Sequence, residues 1–333
     1  MNISVVLPTY NEAEWLGLTL EKIDQAIVNA AGLKKSEIII VDDGSSDNTG
    51  HVLKSLRLKT KVIYLKQKNK GRFVARENGV KRAHYDHILF IDSRVHIENN
   101  AIDYIVKKMS LDNTKVLWNA HVIVAKTGNI YARFWDAIVF IAWRKYFVDP
   151  RDISYGISDF DKYPKGTTCF LAPKAWVLEA TNAFETTSKN MKFANDDTLL
   201  IRSLIQKADI NLSPQFSCVY HSRSSLKKFL KHAYHRGNVF VDGFLRRDGN
   251  RYFWPLLLFL ILSILIPALL IASPMFMGAT LGLIVGLWIL ELFVALLLSV
   301  VLKDALSLFI LTPFFVLFYG AGIWTATVKR VKT

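Results

Sequence analysis

Between Tyr252 and Val328 the only charged side chains are Glu291, Lys303 and Asp304. A bilayer core is crossed by about 20 apolar residues, so this stretch reads as membrane-embedded. It divides into segments Tyr252 to Ala272, Ala279 to Leu302 and Ala305 to Thr327, joined by very short connections. Three spans would put Lys329, Arg330 and Lys332 opposite the preceding domain, against the tendency of basic residues to stay on the cytoplasmic side. A third segment that lies in the membrane, or re-enters it, removes that conflict. The residues before Tyr252 have ordinary globular composition and provide enough chain for a medium-sized domain.

The 333 residues carry a net charge of +14, with basic residues crowding the approach to the membrane: Lys227, Lys228, Lys231, Arg236, Arg246, Arg247 and Arg251. This pattern points to anionic headgroups rather than nucleic acid. Leu226, Phe229, Leu230, Ala233, Gly237, Phe240, Val241 and Phe244 share one helical face, so residues 226–251 are expected to form an amphipathic helix in the membrane surface. The chain enters its first strand at Ile3 without the pattern of a signal peptide. Two cysteines, Cys169 and Cys218, suit a reducing compartment. The soluble part, residues 1–225, is therefore expected in the cytoplasm, anchored to the cell (plasma) membrane by residues 252–328.

Apolar runs at Ile3 to Leu7, Ile38 to Val41, Val62 to Leu65 and Ile88 to Ile91 are separated by stretches long enough for crossover helices. They predict an α/β, mostly parallel, doubly wound sheet. Leu16, Leu20, Ile23 and Ile27 mark the first helix, with Asn11 placed to cap it. Further elements are expected as a helix over Ala101 to Met109, a strand over Val116 to Val124 and a strand over Gly166 to Ala172. Another helix runs through Leu199, Leu200 and Leu204. Tyr131 to Phe147 reads either as an interfacial helix or as one covering the sheet. Asp149 to Lys165 reads as a long loop. No Gly-x-Gly-x-x-Gly or P-loop pattern follows any strand, which removes support for dinucleotide oxidoreductases and P-loop NTPases.

Ligands of open α/β sheets bind beyond the carboxyl ends of the strands, and four motifs fall there. Pro8-Thr9-Tyr10-Asn11-Glu12 closes the first strand, and Asp42-Asp43-Gly44 closes the second. Gly71-Arg72-Phe73-Val74-Ala75-Arg76-Glu77-Asn78-Gly79 opens a helix, whose start leaves backbone N–H groups for an anion. Asp92-Ser93-Arg94 follows the fourth strand, and Asn195-Asp196-Asp197-Thr198-Leu199-Leu200 opens a later helix. In this order the motifs resemble family 2 glycosyltransferases, whose catalytic domain has the GT-A fold.

The resemblance covers roughly the first 240 residues and implies a membrane-anchored, inverting glycosyltransferase. Its donor would be a nucleotide-sugar of UDP or GDP type, held by Pro8, Thr9, Tyr10, Asn11, Glu12, Asp42, Asp43, Gly71, Arg72, Arg76, Asp92, Ser93 and Arg94. Asp197 would be the catalytic base, with Asp196 in place of the preceding Glu of the family pattern. Asp-Ser-Arg stands where the family has Asp-x-Asp. This leaves two readings: Mg²⁺ or Mn²⁺ on Asp92 alone, with His96 as a helper, or charge supplied by Arg94 to a partly metal-independent site. Glu77 stands where the family has Asn. His235 and Arg236 fall near the family's acceptor or phosphate element. The membrane segments point to a lipid-linked acceptor, a polyprenyl phosphate or a lipid-linked saccharide. The alternatives are a processive polysaccharide synthase and a non-catalytic nucleotide-binding membrane scaffold.

Overall fold

The computed structural model describes residues 1–186, 191–194, 196–245, 252–272, 277–298 and 300–331. Among them nine strands make one sheet: β1 (Asn2–Thr9), β2 (Lys35–Asp42), β3 (Val62–Lys66), β4 (His87–Ile91), β5 (Val95–Ile97), β6 (Leu117–Val124), β7 (Ile153–Tyr155), β8 (Cys169–Pro173) and β9 (Ile210–Tyr220). The helices are α1 (Ala13–Asn29), α2 (Thr49–Ser55), α3 (Arg72–Arg82), α4 (Ala101–Leu111), α5 (Ile130–Ala142), α6 (Arg144–Phe147), α7 (Lys174–Asn182), α8 (Asp196–Leu204), α9 (Leu226–Phe244), α10 (Phe253–Ala272), α11 (Met277–Leu297) and α12 (Leu302–Val331). The residues group into two compact units, one of residues 1–125, 145–185 and 196–222, the other of 126–144, 186–195 and 223–333.

In the first unit β3, β2, β1 and β4 lie side by side and parallel, with α1, α2 and α3 as their crossovers. Beyond β4 the sheet is mixed: β8 runs antiparallel to both β4 and β6, β9 runs parallel to β6, and β5 and β7 pair antiparallel with β9. Alternate side chains of a strand face opposite sides, which explains why both faces of β1 are apolar. Ile3, Val5 and Leu7 pack with Leu16, Leu20 and Ile23 of α1 and Ile102 and Ile105 of α4. Val6 packs on the other side with Ala75 and Val80 of α3 and Val177 of α7.

Helix α3 approaches the sheet closely because Gly79 lies over β1, where a Cβ would collide with Val6 Cγ1. Gly79→Val is expected to cost about 1 to 3 kcal/mol through overpacking. A melting temperature unchanged from that of the parent chain would show that the helix yields there at no cost.

Several sequence expectations are corrected. Asn11 does not cap α1; it adopts φ 54°, and its Oδ1 accepts from Ser46 N at 2.8 Å. The first helical N–H, on Ala13, is instead taken by Asp47 Oδ2 at 3.0 Å, so the two strand-end loops brace each other. Asp149 to Lys165 is not structureless, because it holds β7 and a 3-10 turn, Ile157–Lys162. The helix expected over Tyr131 to Phe147 is broken at Trp143 between α5 and α6. Strand β9 was not anticipated: Pro214 falls where β6 and β9 change register, between the Ala120–Ser213 and His121–Ser217 pairs. The amphipathic helix α9 ends at Phe244, and residues 246–251 lie outside the described residues.

In the second unit α10, α11 and α12 are each long and apolar enough to cross a membrane. Asp304, 3% exposed, accepts from Lys126 Nζ at 2.9 Å and Arg133 Nη1 at 2.7 Å. Lys126 also donates to Asp136 at 2.9 Å. Glu291 of α11 faces a neighbouring helix and accepts from Thr312 Oγ1 at 2.6 Å.

Candidate active site

The carboxyl ends of β2, β1 and β4 are adjacent, with β1 in the middle, and the first motifs meet there. Thr9 pairs in register with Asp42. Asp42, 1% exposed, accepts from Ser45 N at 2.7 Å and from Tyr64 O–H at 2.8 Å. Burial and then the Asp42 carboxylate push the Tyr64 phenol up to about 12, so it stays protonated and donates. Thr9 Oγ1 is buried and has no hydrogen-bond partner among the described residues. Tyr10 stands beside it, 48% exposed.

Asp43 does something different from its neighbour. It accepts from Gln67 Nε2 at 2.8 Å, Lys70 N at 2.8 Å and Gly71 N at 2.9 Å. The backbone N–H groups of Lys70 and Gly71 are therefore not left for an external anion, as the glycine at the helix start had implied, because Asp43 is the anion they bind. Gln67 in turn accepts from Asn78 Nδ2 at 2.7 Å, while Glu77 pairs with Lys81 at 2.5 Å on the outer side of α3. Gly44 makes the turn with φ +81°, and a Cβ there would stand 3.0 Å from Asn69 N. Only glycine takes that conformation freely.

The centre of the site is Arg76. Its side chain is 4% exposed; Nη2 reaches Asp92 Oδ1 at 2.7 Å and Nη1 reaches Asp197 Oδ1 at 2.9 Å. Arg72, 45% exposed, reaches Asp197 Oδ2 at 3.2 Å, and Thr167 Oγ1 donates to Asp197 Oδ1. Two carboxylates lying 105 residues apart in sequence thus share one guanidinium, whose planar fork suits such bridging. Burial raises the Asp92 carboxyl above the ordinary range, against the opposing pull of Arg76 and Arg72. The side chain of Asp196 and all of Asn195 lie outside the described residues.

Arg94 and its neighbours form a separate cluster. Its guanidinium pairs with Glu12 at 2.7 Å and lies over the Trp15 ring at 5.6 Å. Trp15 also stacks on His221 at 4.6 Å. His96 Nδ1 shares a hydrogen bond of 2.9 Å with His221 Nε2, so its imidazole is engaged there rather than beside Asp92. Ser93 is buried, and its carbonyl accepts from Thr19 Oγ1 at 2.9 Å. Pro8 is the last apolar step of β1 before Thr9 and Tyr10. His235 and Arg236 belong to the second unit, where Arg236 lies over Trp135 at 5.7 Å.

Among the described residues no three His, Cys, Asp or Glu side chains gather to hold a metal ion. Asp92 remains 21% exposed. A single carboxylate fits a Mg²⁺ or Mn²⁺ ion that takes most of its ligands from a diphosphate and water.

Residues 4–167 match the family model described as Glycosyl transferase family 2. The chain carries a glycosyltransferase family 2 domain. The poly-beta-1,6-N-acetyl-D-glucosamine synthase of Staphylococcus aureus strain COL is 32% identical over 111 residues, 33% of this chain and 26% of the synthase. An uncharacterized glycosyltransferase of Rickettsia felis is 31% identical over 111 residues, 33% of this chain and 18% of that protein. The chain thus matches about a quarter or less of the length of these relatives. Crystal structures of S. aureus TarS 1-349 share the fold. The complex with UDP has TM-score 0.51 and 16% identity, covering 73% of this chain and 66% of TarS 1-349. The complex with UDP-GlcNAc has TM-score 0.50 and 15% identity, covering 75% and 68%.

Sequence reasoning on the family 2 domain missed Tyr64, Gln67 and Thr167. Tyr64 carried a usable signal, a phenol at an exposed position of a strand next to the one that ends in Asp42. The other two had none.

Proposed function

We propose that the chain is a membrane-anchored inverting glycosyltransferase that moves a sugar from a nucleotide-sugar to a lipid-linked acceptor. The observation that carries this reading is the gathering of Asp92 and Asp197 on Arg76, at the strand end next to those of Thr9 and Asp42. Asp42 keeps lone pairs for a base N–H or ribose hydroxyl, and the partnerless Thr9 hydroxyl supports a ligand at the same edge. The UDP and UDP-GlcNAc in the TarS crystal structures favour a UDP-type donor. Residues 1–225 act as the transferase domain on the cytoplasmic side of the cell membrane, and residues 252–328 act as the anchor.

In this mechanism Asp197 takes the proton of the acceptor hydroxyl as its oxygen bonds to the anomeric carbon. The bond from that carbon to the donor diphosphate breaks on the opposite face, and the nucleoside diphosphate leaves. Arg72, half in solvent, is placed to meet the diphosphate charge. Asp92 would hold Mg²⁺ or Mn²⁺, which when bound offsets the charge developing on the leaving group. Arg94 is paired with Glu12, which makes it a weak source of charge for the donor, and a cation on Asp92 would share that carboxylate with Arg76.

The likeness to the poly-beta-1,6-N-acetyl-D-glucosamine synthase favours a second reading, a processive synthase. A panel of UDP- and GDP-sugars, offered to the full chain in lipid with a polyprenyl phosphate or lipid-linked saccharide, separates them. One sugar added per extracted lipid supports the proposal, and a ladder of products supports the synthase. Donor binding without hydrolysis or transfer, with or without Mg²⁺ and Mn²⁺, would leave a nucleotide-binding scaffold.

A further inference from the structure

Helix α12 is long enough to cross a bilayer, yet its neighbours in the second unit are those of a helix lying flat. Helix α9 runs beside its C-terminal half in the same direction. A Cβ at Gly237 would collide with Tyr319 O, and one at Gly322 with Tyr234 O; further along, Arg330 Nη1 donates to Leu245 O at 2.6 Å. The N-terminal half is covered by α5, through Asp304 with Arg133 at 2.7 Å and Phe134 against Phe315 at 5.1 Å between ring centroids. One-third of the apolar window of α12, 33%, is buried, against 11% for α10 and 6% for α11.

These neighbours are charged along the whole length. Lys126, Arg133 and Asp136 stand at the Asp304 end. Near mid-helix, Arg236 lies over Trp135 at 5.7 Å, and Trp135 meets Phe315 at 5.5 Å. Lys227, Lys228, Lys231 and Arg236 are exposed on α9. If α12 crossed the bilayer, Arg236 would be carried to the depth of its midpoint, where an ionised side chain is costly.

The two other apolar helices meet α12 at separate places. Helix α10 touches it near its C-terminal end, where Trp324 Nε1 donates to Ser263 Oγ at 3.0 Å. Helix α11 touches it near its N-terminal end, where Trp288 stacks on Phe309 at 4.6 Å and Thr312 binds Glu291 at 2.6 Å. The chain order from α10 to α11 places their remaining ends, Ala272 and Met277, a short link apart. Leu302, Leu306, Ile310, Phe314 and Leu317 form an exposed apolar stripe along the N-terminal half of α12 at helical spacing.

We infer that only α10 and α11 cross the membrane, as a hairpin, and that α12 lies across its base in the plane of the leaflet. Its stripe enters the acyl boundary, while α5 and α9 cover it from the water side and α9 presents lysines to anionic headgroups. Residues on either side of α12 therefore share the side of the transferase domain. The same arrangement places Glu291 close to the interface rather than at the bilayer centre, and removes the charge conflict raised by Lys329 and Arg330.

Single cysteines test this in sealed membranes of the full chain, since the two native cysteines are buried. Leu111→Cys, Met277→Cys and Val328→Cys lie at positions 84%, 50% and 43% exposed. A membrane-impermeant maleimide should label Leu111→Cys and Val328→Cys from one side and Met277→Cys from the other. Val328→Cys labelling with Met277→Cys, or Met277→Cys labelling with Leu111→Cys, overturns the inference. Spin labels at Leu306, Ile310, Phe314 and Leu317 should report one common shallow depth. A profile deepest at mid-helix would mean that α12 crosses.

Discussion

Asp197→Asn should lower sugar transfer by about 100- to 10,000-fold, the range a positioned general base contributes, while donor affinity stays within a few-fold. Asn keeps the shape and one acceptor oxygen, enough for Arg76 and Thr167 at the Oδ1 position but not for Arg72 at Oδ2, and it cannot take a proton from the acceptor. Helix α8 begins at Asp196, and a neutral side chain in its first turn removes only a small dipole contribution, so the fold should persist. The measurements are initial transfer rates, donor binding by calorimetry and a thermal melt. A variant retaining a tenth or more of the parent rate would remove Asp197 from the role of base. Loss of donor affinity alongside rate would make Asp197 a clamp for Arg72 and Arg76 instead.

The parallel half of the sheet was legible because it depends on local pattern. Continuous β-branched runs such as Ile38 to Val41 are buried on both faces and need no long-range information to be recognised. The motifs at the strand ends were legible for the same reason. What could not be read was side-chain partnership. Asp42 and Asp43 are consecutive and chemically identical, yet one ends bonded to Tyr64, the other to a loop 24 to 28 residues later. Arg94 is diverted by Glu12 and Trp15, which come from the first strand-helix connection. Strand β9 escaped because Ser213, Pro214 and Gln215 interrupt its apolar pattern at the change of register. Asp304 looked like a stray charge in an apolar segment, since its partners Lys126 and Arg133 lie 178 and 171 residues upstream.

Arg76→Met should be the most damaging single change to stability, because it removes the shared partner of two carboxylates from a position 4% exposed. Breaking a buried pair by deleting one member costs about 3 to 5 kcal/mol, here softened at the Asp197 end by Arg72. Methionine fills much of the same volume against Phe90, whose ring lies 5.8 Å from the guanidinium, so the loss should be one of charge. The pH dependence separates charge from packing. The Asp92 carboxyl already stands above the ordinary range because burial outweighs Arg76 and Arg72, and without Arg76 it should rise further. A carboxyl with a raised folded-state pKa favours the folded state while protonated, and that contribution fades as pH climbs from the ordinary carboxylate range through the raised value. Variant and parent should therefore melt close together near the low end of that window and diverge steadily as pH increases. Arg76→Lys should recover part of the gap at higher pH but little of the transfer rate, because an ammonium is a point charge without the fork that bridges Asp92 and Asp197. A gap that stays constant with pH would assign the loss to packing on Phe90, and Asp92 and Asp197 would then stand side by side without depending on Arg76.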